Sequence, residues 1–244
     1  MKKILSSIMV TATLFSCAPK KENGIEYSVD KFADLEVLRY EVPGFDELSL
    51  QQKKLVYYLS EAALQGRDIL FDQNGKWNLA IRRTLESIYT NYAGDRESDD
   101  FKAFELYLKQ VWFANGIHHH YATDKFTPRF SQSFFEEAVR SVDPSTLPLK
   151  PGKDVDALLN DLTPVIFNPS LLAKRVNQAD GEDLVLTSAG NYYDGVTQAE
   201  SEAFYNRMKD PKDETPISYG LNSRLVKRNG KICLLYTSDA ADDK

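Results

Sequence analysis

Three adjacent residues, His118, His119 and His120, are the only histidines in the chain; they lie in "FANGIHHHYATDKF", residues 113–126. Imidazole is the commonest metal ligand and the side chain that titrates nearest neutral pH. The chemistry to ask about is therefore a metal centre or a proton-transfer site. The spacing does not favour the usual zinc arrangement. Zinc bound on a helix takes two histidines at i and i+4 plus a third ligand from elsewhere, and consecutive histidines cannot share a helix face. On an extended segment only His118 and His120 point the same way. No fourth histidine exists, and the two cysteines, Cys17 and Cys233, fall in the terminal segments. His118 and His120 thus stand as candidate cleft or metal residues, against a surface-loop or hydrogen-bonded structural role.

Other chemical signatures are missing from the sequence. There is no G-x-S-x-G elbow, P-loop or dinucleotide fingerprint. "QADGEDL" is acidic but lacks the spacing and terminal glutamate of an EF-hand, and reads as a solvated turn. The net charge is −6 and no basic block exceeds a pair of residues. That balance argues against nucleic acid as a partner, because phosphate contacts need clustered lysine and arginine.

The terminal segments differ in character from the body. Residues 1–16 read as a lipoprotein signal peptide: Lys2 and Lys3, then an apolar stretch too short to span a bilayer, ending in "LFSC". Cys17 would be the lipidated residue and residues 17–24 a polar tether. The expectation is an exported, lipid-anchored protein facing the periplasm or cell envelope of a Gram-negative bacterium. At the other end, residues 233–244 read as foreign. "CLLYTSDAAD" is what a transposon-type sequencing-library adapter encodes in one frame. The expectation is that the natural chain continues past Ile232, and that residues 25–232 are a partial domain. Without its ends the body has no disulfide framework and no thiolate metal site.

The elements that would position the histidines are mainly helical. "LEVLRYEV" suggests a strand or an extended segment. Ser49 with Gln52 makes a capping box, followed by Leu55, Leu59, Ala62, Ala63 and Gly66 at helical spacing. Asp72 to Lys76 read as a turn. A second helix carries Ile81, Leu85, Ile88 and Tyr92 over residues 79–92. A third, over residues 99–113, carries Phe101, Phe104, Leu108, Val111 and Trp112 as a core stripe, and stops at Asn115-Gly116. Ser133 with Glu136 matches another capping box, and a proline-rich loop follows. A fifth helix runs through Val155, Leu158, Leu162 and Val165, with Pro164 marking an end or a kink. "NQADGEDLVLTSAGNYYDGVT" then reads as strand and turn. Thr197 with Glu200 caps a short helix, and "ISYGLNSRLVKRNGKI" reads as a hairpin about Asn229-Gly230. The fold class is α+β, a mostly helical N-terminal half followed by a β-rich segment.

Four stretches together resemble the N-terminal part of dipeptidyl peptidase III, particularly its Bacteroidetes-type members. They are "LSLQQKKLVYYLSEAALQGRDILFDQNGK", "VWFANGIHHHYATDKFTP", "VNQADGEDLVLTSAGNYYDGVT" and "TPISYGLNSRLVKRNGKI". The similarity runs from about Asn23 to Ile232. It implies a two-lobed zinc exopeptidase that releases dipeptides from the N-terminus of short peptides bound between its lobes. In that family an H-E-x-x-G-H motif and a downstream glutamate hold the zinc, which lowers the pKa of bound water and polarises the scissile carbonyl. This chain contains no H-E-x-x-G-H. The resemblance therefore carries no catalytic and no zinc-binding residue onto any position here. It implies an inactive piece of the non-catalytic lobe, zinc only in the intact enzyme, short peptides as that enzyme's substrates, and the membrane as partner through a lipid anchor.

Overall fold

The computed structural model describes residues 25–213 and 223–236. The leader, Cys17 and the tether lie outside the described residues, as do residues 217–222 of the expected hairpin and residues 237–244 of the tail. The chain divides into two compact units, residues 1–46 and 47–244.

In the first unit, β1 (Ser28–Phe32) and β2 (Leu35–Leu38) form an antiparallel hairpin. "LEVL" is the strand that its alternation suggested; the partner strand was not legible, because Ala33 rather than glycine takes the positive φ of 50° at the turn. Lys31 and Glu36 face each other in register and pair at 3.0 Å.

The second unit opens on α1 (Leu50–Gln65), whose capping box is formed as its sequence predicts: Ser49 Oγ accepts from the Gln52 amide, and the Gln52 side chain accepts from the Ser49 amide. The predicted core stripe fails. None of the sixteen residues of α1 is buried, and Leu55 and Leu59 are 58% and 60% exposed. At 100° per residue, Leu55, Leu59 and Ala62 lie on one side, whereas Leu50, Tyr57 and Leu64 lie on the other. With apolar residues on both sides and seven polar ones between them, the helix has no single apolar face to turn inward. Gly66 ends α1, and α2 (Arg67–Asn74) starts directly after it, so most of the expected turn from Asp72 is helix.

The core lies among α3 (Asn78–Asn91), α4 (Asp99–Ala114), α5 (Gln132–Ser141) and α6 (Val155–Phe167), with Phe71 from α2. Ile81, Leu85, Ile88, Phe104, Leu108 and Val111 are fully buried, as their 3.6-residue spacing requires. Trp112 is not in the core. One position beyond the buried stripe, it lies on the rim and its indole N–H donates to Glu86 at 2.9 Å. Phe130, just before α5, is the aromatic hub, with ring centroids 5.5 Å from Tyr107, 5.6 Å from Phe167 and 5.8 Å from Phe104. Helix α5 begins two residues earlier than its pattern suggested. Ser131, not Ser133, is the N-cap, accepting from the Phe134 amide and held by Asp100 through its own amide and hydroxyl. Pro164 sits inside α6, which ends three residues later.

After Phe167 the expected β-rich run is mostly turns. Between α6 and α7 (Gln198–Asn206) the one strand is β3 (Tyr193–Asp194). Side chains take the backbone groups a ladder would use. Asp183 accepts from the amides of Val185, Leu186 and Gln198, Thr187 Oγ1 donates to the Asp183 carbonyl, and Ser188 Oγ donates to the Leu184 carbonyl. The capping box of α7, Thr197 with Glu200, is formed. Strand β4 (Ser223–Arg228) pairs parallel to β3 and antiparallel to β5 (Lys231–Tyr236), through a turn with positive φ at Asn229 and Gly230. The partner strand was expected to stop within a few residues of the turn. It pairs along its six residues to Tyr236, because Ile232, Cys233, Leu234 and Leu235 are as suited to a strand as those before them. The described chain is thus a mixed α+β fold, with helices in the middle and strands towards both ends.

Candidate functional site

The histidines follow the stop of α4. Asn115 takes the left-handed conformation and Gly116 a φ of 150°. Asn78, at the start of α3 and 1% exposed, accepts the Ile117 amide on Oδ1 and fixes where the chain leaves the helix. From there residues 117–126 form a tight reversal. Phe126 donates its amide to the Ile117 carbonyl at 2.8 Å, and His119 donates its amide to the Asp124 carbonyl at 2.8 Å.

The three imidazoles do different things. His118 is 3% exposed, and its Nε2–H donates to the Leu172 carbonyl at 2.7 Å. This donation fixes the tautomer and leaves Nδ1 as a buried lone pair with no partner. Burial is the main cause that pushes the His118 pKa down to about 4. The bond to Leu172 and the Asp124 carboxylate oppose the shift, whereas Lys125 and Arg175 add to it. The ring is therefore neutral at neutral pH and is no proton shuttle there. His119 Nδ1 accepts from the amides of Tyr121 and Ala122 at 3.2 and 3.0 Å, closing the turn. His120 packs its ring against His119 and Phe113, with centroids 4.4 and 5.1 Å away, and its carbonyl accepts from Arg175 at 3.1 Å.

A second segment clamps the reversal from outside. Lys125 sends its ammonium into the C-terminal end of α6, donating to the carbonyls of Val165 at 3.0 Å, Leu171 at 2.6 Å and Asn168. A cation there meets the negative end of the helix dipole. Burial holds Lys125 below the usual lysine range. Lys125 also takes the Ala173 carbonyl through its amide, Arg175 takes that of Thr123, and Lys174 pairs with Asp124 at 2.5 Å. Arg175 completes the corner, donating to Asn74 Oδ1 at 3.3 Å while its Nε is buried without an acceptor.

Neither Lys125 nor Arg175 was singled out by the sequence. The partners of their side chains lie 40 to 46 and 55 to 101 residues away, and no local pattern encodes such contacts. Cys17, the lipidation candidate, is outside the described residues. Among the described residues no group of three or more histidine, cysteine, aspartate or glutamate side chains is placed to hold a metal ion. His118 and His120 are not joined by such a ligand among the described residues. No helix among them is long and apolar enough to cross a membrane.

Compared with known proteins, the sequence matches no family model, and no curated protein matches it.

Proposed function

We propose that this chain is the N-terminal part of a zinc-dependent exopeptidase of the dipeptidyl peptidase III type. It would contribute to the non-catalytic lobe of an enzyme that releases dipeptides from short peptides. The resemblance over residues 23–232 is the basis of the reading, and α1 is the observation that supports it. A sixteen-residue helix that leaves leucine and tyrosine side chains exposed on opposite sides, with none of its residues buried, carries apolar surface suited to being covered by further polypeptide. A lobe completed by further polypeptide meets that need. In this reading the zinc, the water-activating glutamate and the peptide cleft belong to sequence beyond these residues. Cys17 anchors the protein to the membrane, and residues 233–244 are an adapter-derived tail.

The test is to sequence across the Ile232 codon in the source DNA and express the full reading frame. An H-E-x-x-G-H downstream, with zinc-dependent dipeptide release from a dipeptidyl-arylamide, supports the proposal. A frame that ends as given, or clear activity of the 244 residues alone with added zinc, overturns it. The second reading is a lipid-anchored binding or structural lipoprotein without catalytic activity. A half-open groove beside Arg175 favours its binding form.

A further inference from the structure

Beside the clamp, the turn-rich segment after α6 folds against the end of α2 and leaves a groove of about 330 Å³. That is at the small end of ligand-sized pockets, about 300–1,000 Å³. Its walls are apolar: Val176, Leu184, Val185 and Tyr193. They are not closed over, and Val176 remains 41% exposed.

Arg175 sits in this wall, and its setting is unusual for an arginine. Its two hydrogen bonds go to neutral groups, the Asn74 side-chain oxygen and the His120 carbonyl, which hold the guanidinium in one orientation. Its Nε has no acceptor, and no carboxylate pairs with it among the described residues. The other two described arginines that are not exposed both have a carboxylate beside them. Arg82 has Asp68 at 2.7 Å and Arg224 has Asp72 at 3.6 Å. Arg175 is thus a cation held in place with no counter-ion among the described residues, beside an apolar groove. Tyr192 adds a hydroxyl at the same wall, where it donates to Gln73 at 3.3 Å. The rest of the polar inventory is already used: Ser188 donates to the Leu184 carbonyl and accepts the Asn177 amide. The ligand that completes such a wall brings one negative charge and an apolar body.

We propose that the groove between Arg175 and the Val176–Leu184–Val185 wall binds a small carboxylate with an apolar side chain, of the size of a capped amino acid. The carboxylate meets the Arg175 guanidinium, for which charge-assisted bonding is the strong case. The side chain lies on Val185 and Tyr193. The inference rests on this groove alone and is independent of the peptidase reading.

The test is a titration of the full chain with N-acetyl-L-leucine and, separately, with N-acetyl-L-leucinamide, followed by calorimetry or NMR at pH 7. The two probes differ only in the charged group. The acid is expected to bind about tenfold or more tightly than the amide, as a charge-assisted bond gives over a neutral one. Arg175→Gln should bring the acid down to the amide's level. Val185→Trp, which fills the groove and leaves Arg175 in place, should abolish binding of both. This second variant keeps the proposal open to test if Arg175→Gln loosens the corner. Equal binding of acid and amide to the unaltered chain, absence of saturable binding into the millimolar range, or unchanged binding in Val185→Trp overturns the proposal.

Discussion

The side-chain amide of Asn78 occupies the space that a β-carbon on residue 116 would need: built on Gly116, that carbon stands 2.3 Å from Asn78 Nδ2 and 2.8 Å from Cγ. Asn78 cannot retreat without giving up the Ile117 amide. Gly116→Ala therefore combines overpacking with a backbone conformation that alanine resists, at a cost of about 3 kcal/mol in urea denaturation. Gly152→Ala is the control. It also has positive φ but meets nothing within 4 Å, so only the conformational cost of about 1 kcal/mol should appear.

His118 makes stability fall on the acid side. Above the unfolded-state pKa of 6.5 the ring is neutral in both states and contributes no pH dependence. Below it the unfolded chain takes up a proton that the folded chain refuses until about pH 4. The folded state should therefore lose stability from about pH 6.5 down to about pH 4, by roughly 3 kcal/mol in all from this group. Denaturation midpoints between pH 7 and pH 4.5 measure the slope. His118→Gln, which can still donate to the Leu172 carbonyl, should lower stability at pH 7 and flatten this part of the profile. An unchanged slope would show that the acid sensitivity lies elsewhere.

Two serines near the start of α5 separate sequence pattern from structure. Ser131→Ala removes the N-cap and the hydroxyl bond to Asp100 while keeping the backbone amide bond, and should cost about 1–2 kcal/mol. Ser133→Ala removes one exposed hydroxyl contact and should lie within about 0.5 kcal/mol of the parent. Thermal melts of the two variants decide the point.

Helix α1 should govern solubility more than stability. Leu55→Gln with Leu59→Gln replaces two side chains that are more than half exposed. The melting transition of the helical core should move little, and light scattering at high concentration should fall. A large loss of stability would mean that these leucines are packed in solution.

The sequence is legible where the physics is local. The boxes at Ser49–Gln52 and Thr197–Glu200 need only residues three apart, and both are formed. The stripes of α3 and α4 follow from helical period, and their central residues are buried. The failures share a cause. Ser131 outcompeted Ser133 because Asp100, 31 residues away, holds it. The expected strands after Phe167 gave way to side-chain bonds of Asp183, Thr187 and Ser188. At the histidine triplet, types and spacing ruled out shared helix-face ligation. That Leu172 would claim His118, 54 residues on, was visible only in three dimensions.

The three carbonyls around Lys125 have a chemical consequence. An ammonium has three N–H groups, and all three are taken at the end of α6. An amine-acylating reagent needs a free, uncharged amine, so it must wait until that corner opens. Lys125 should then be labelled later than Lys31, Lys102 and Lys150, whose side chains are more than half exposed. Its acylation rate, read by mass spectrometry, becomes a clock for local opening of the corner while the helical core stays folded.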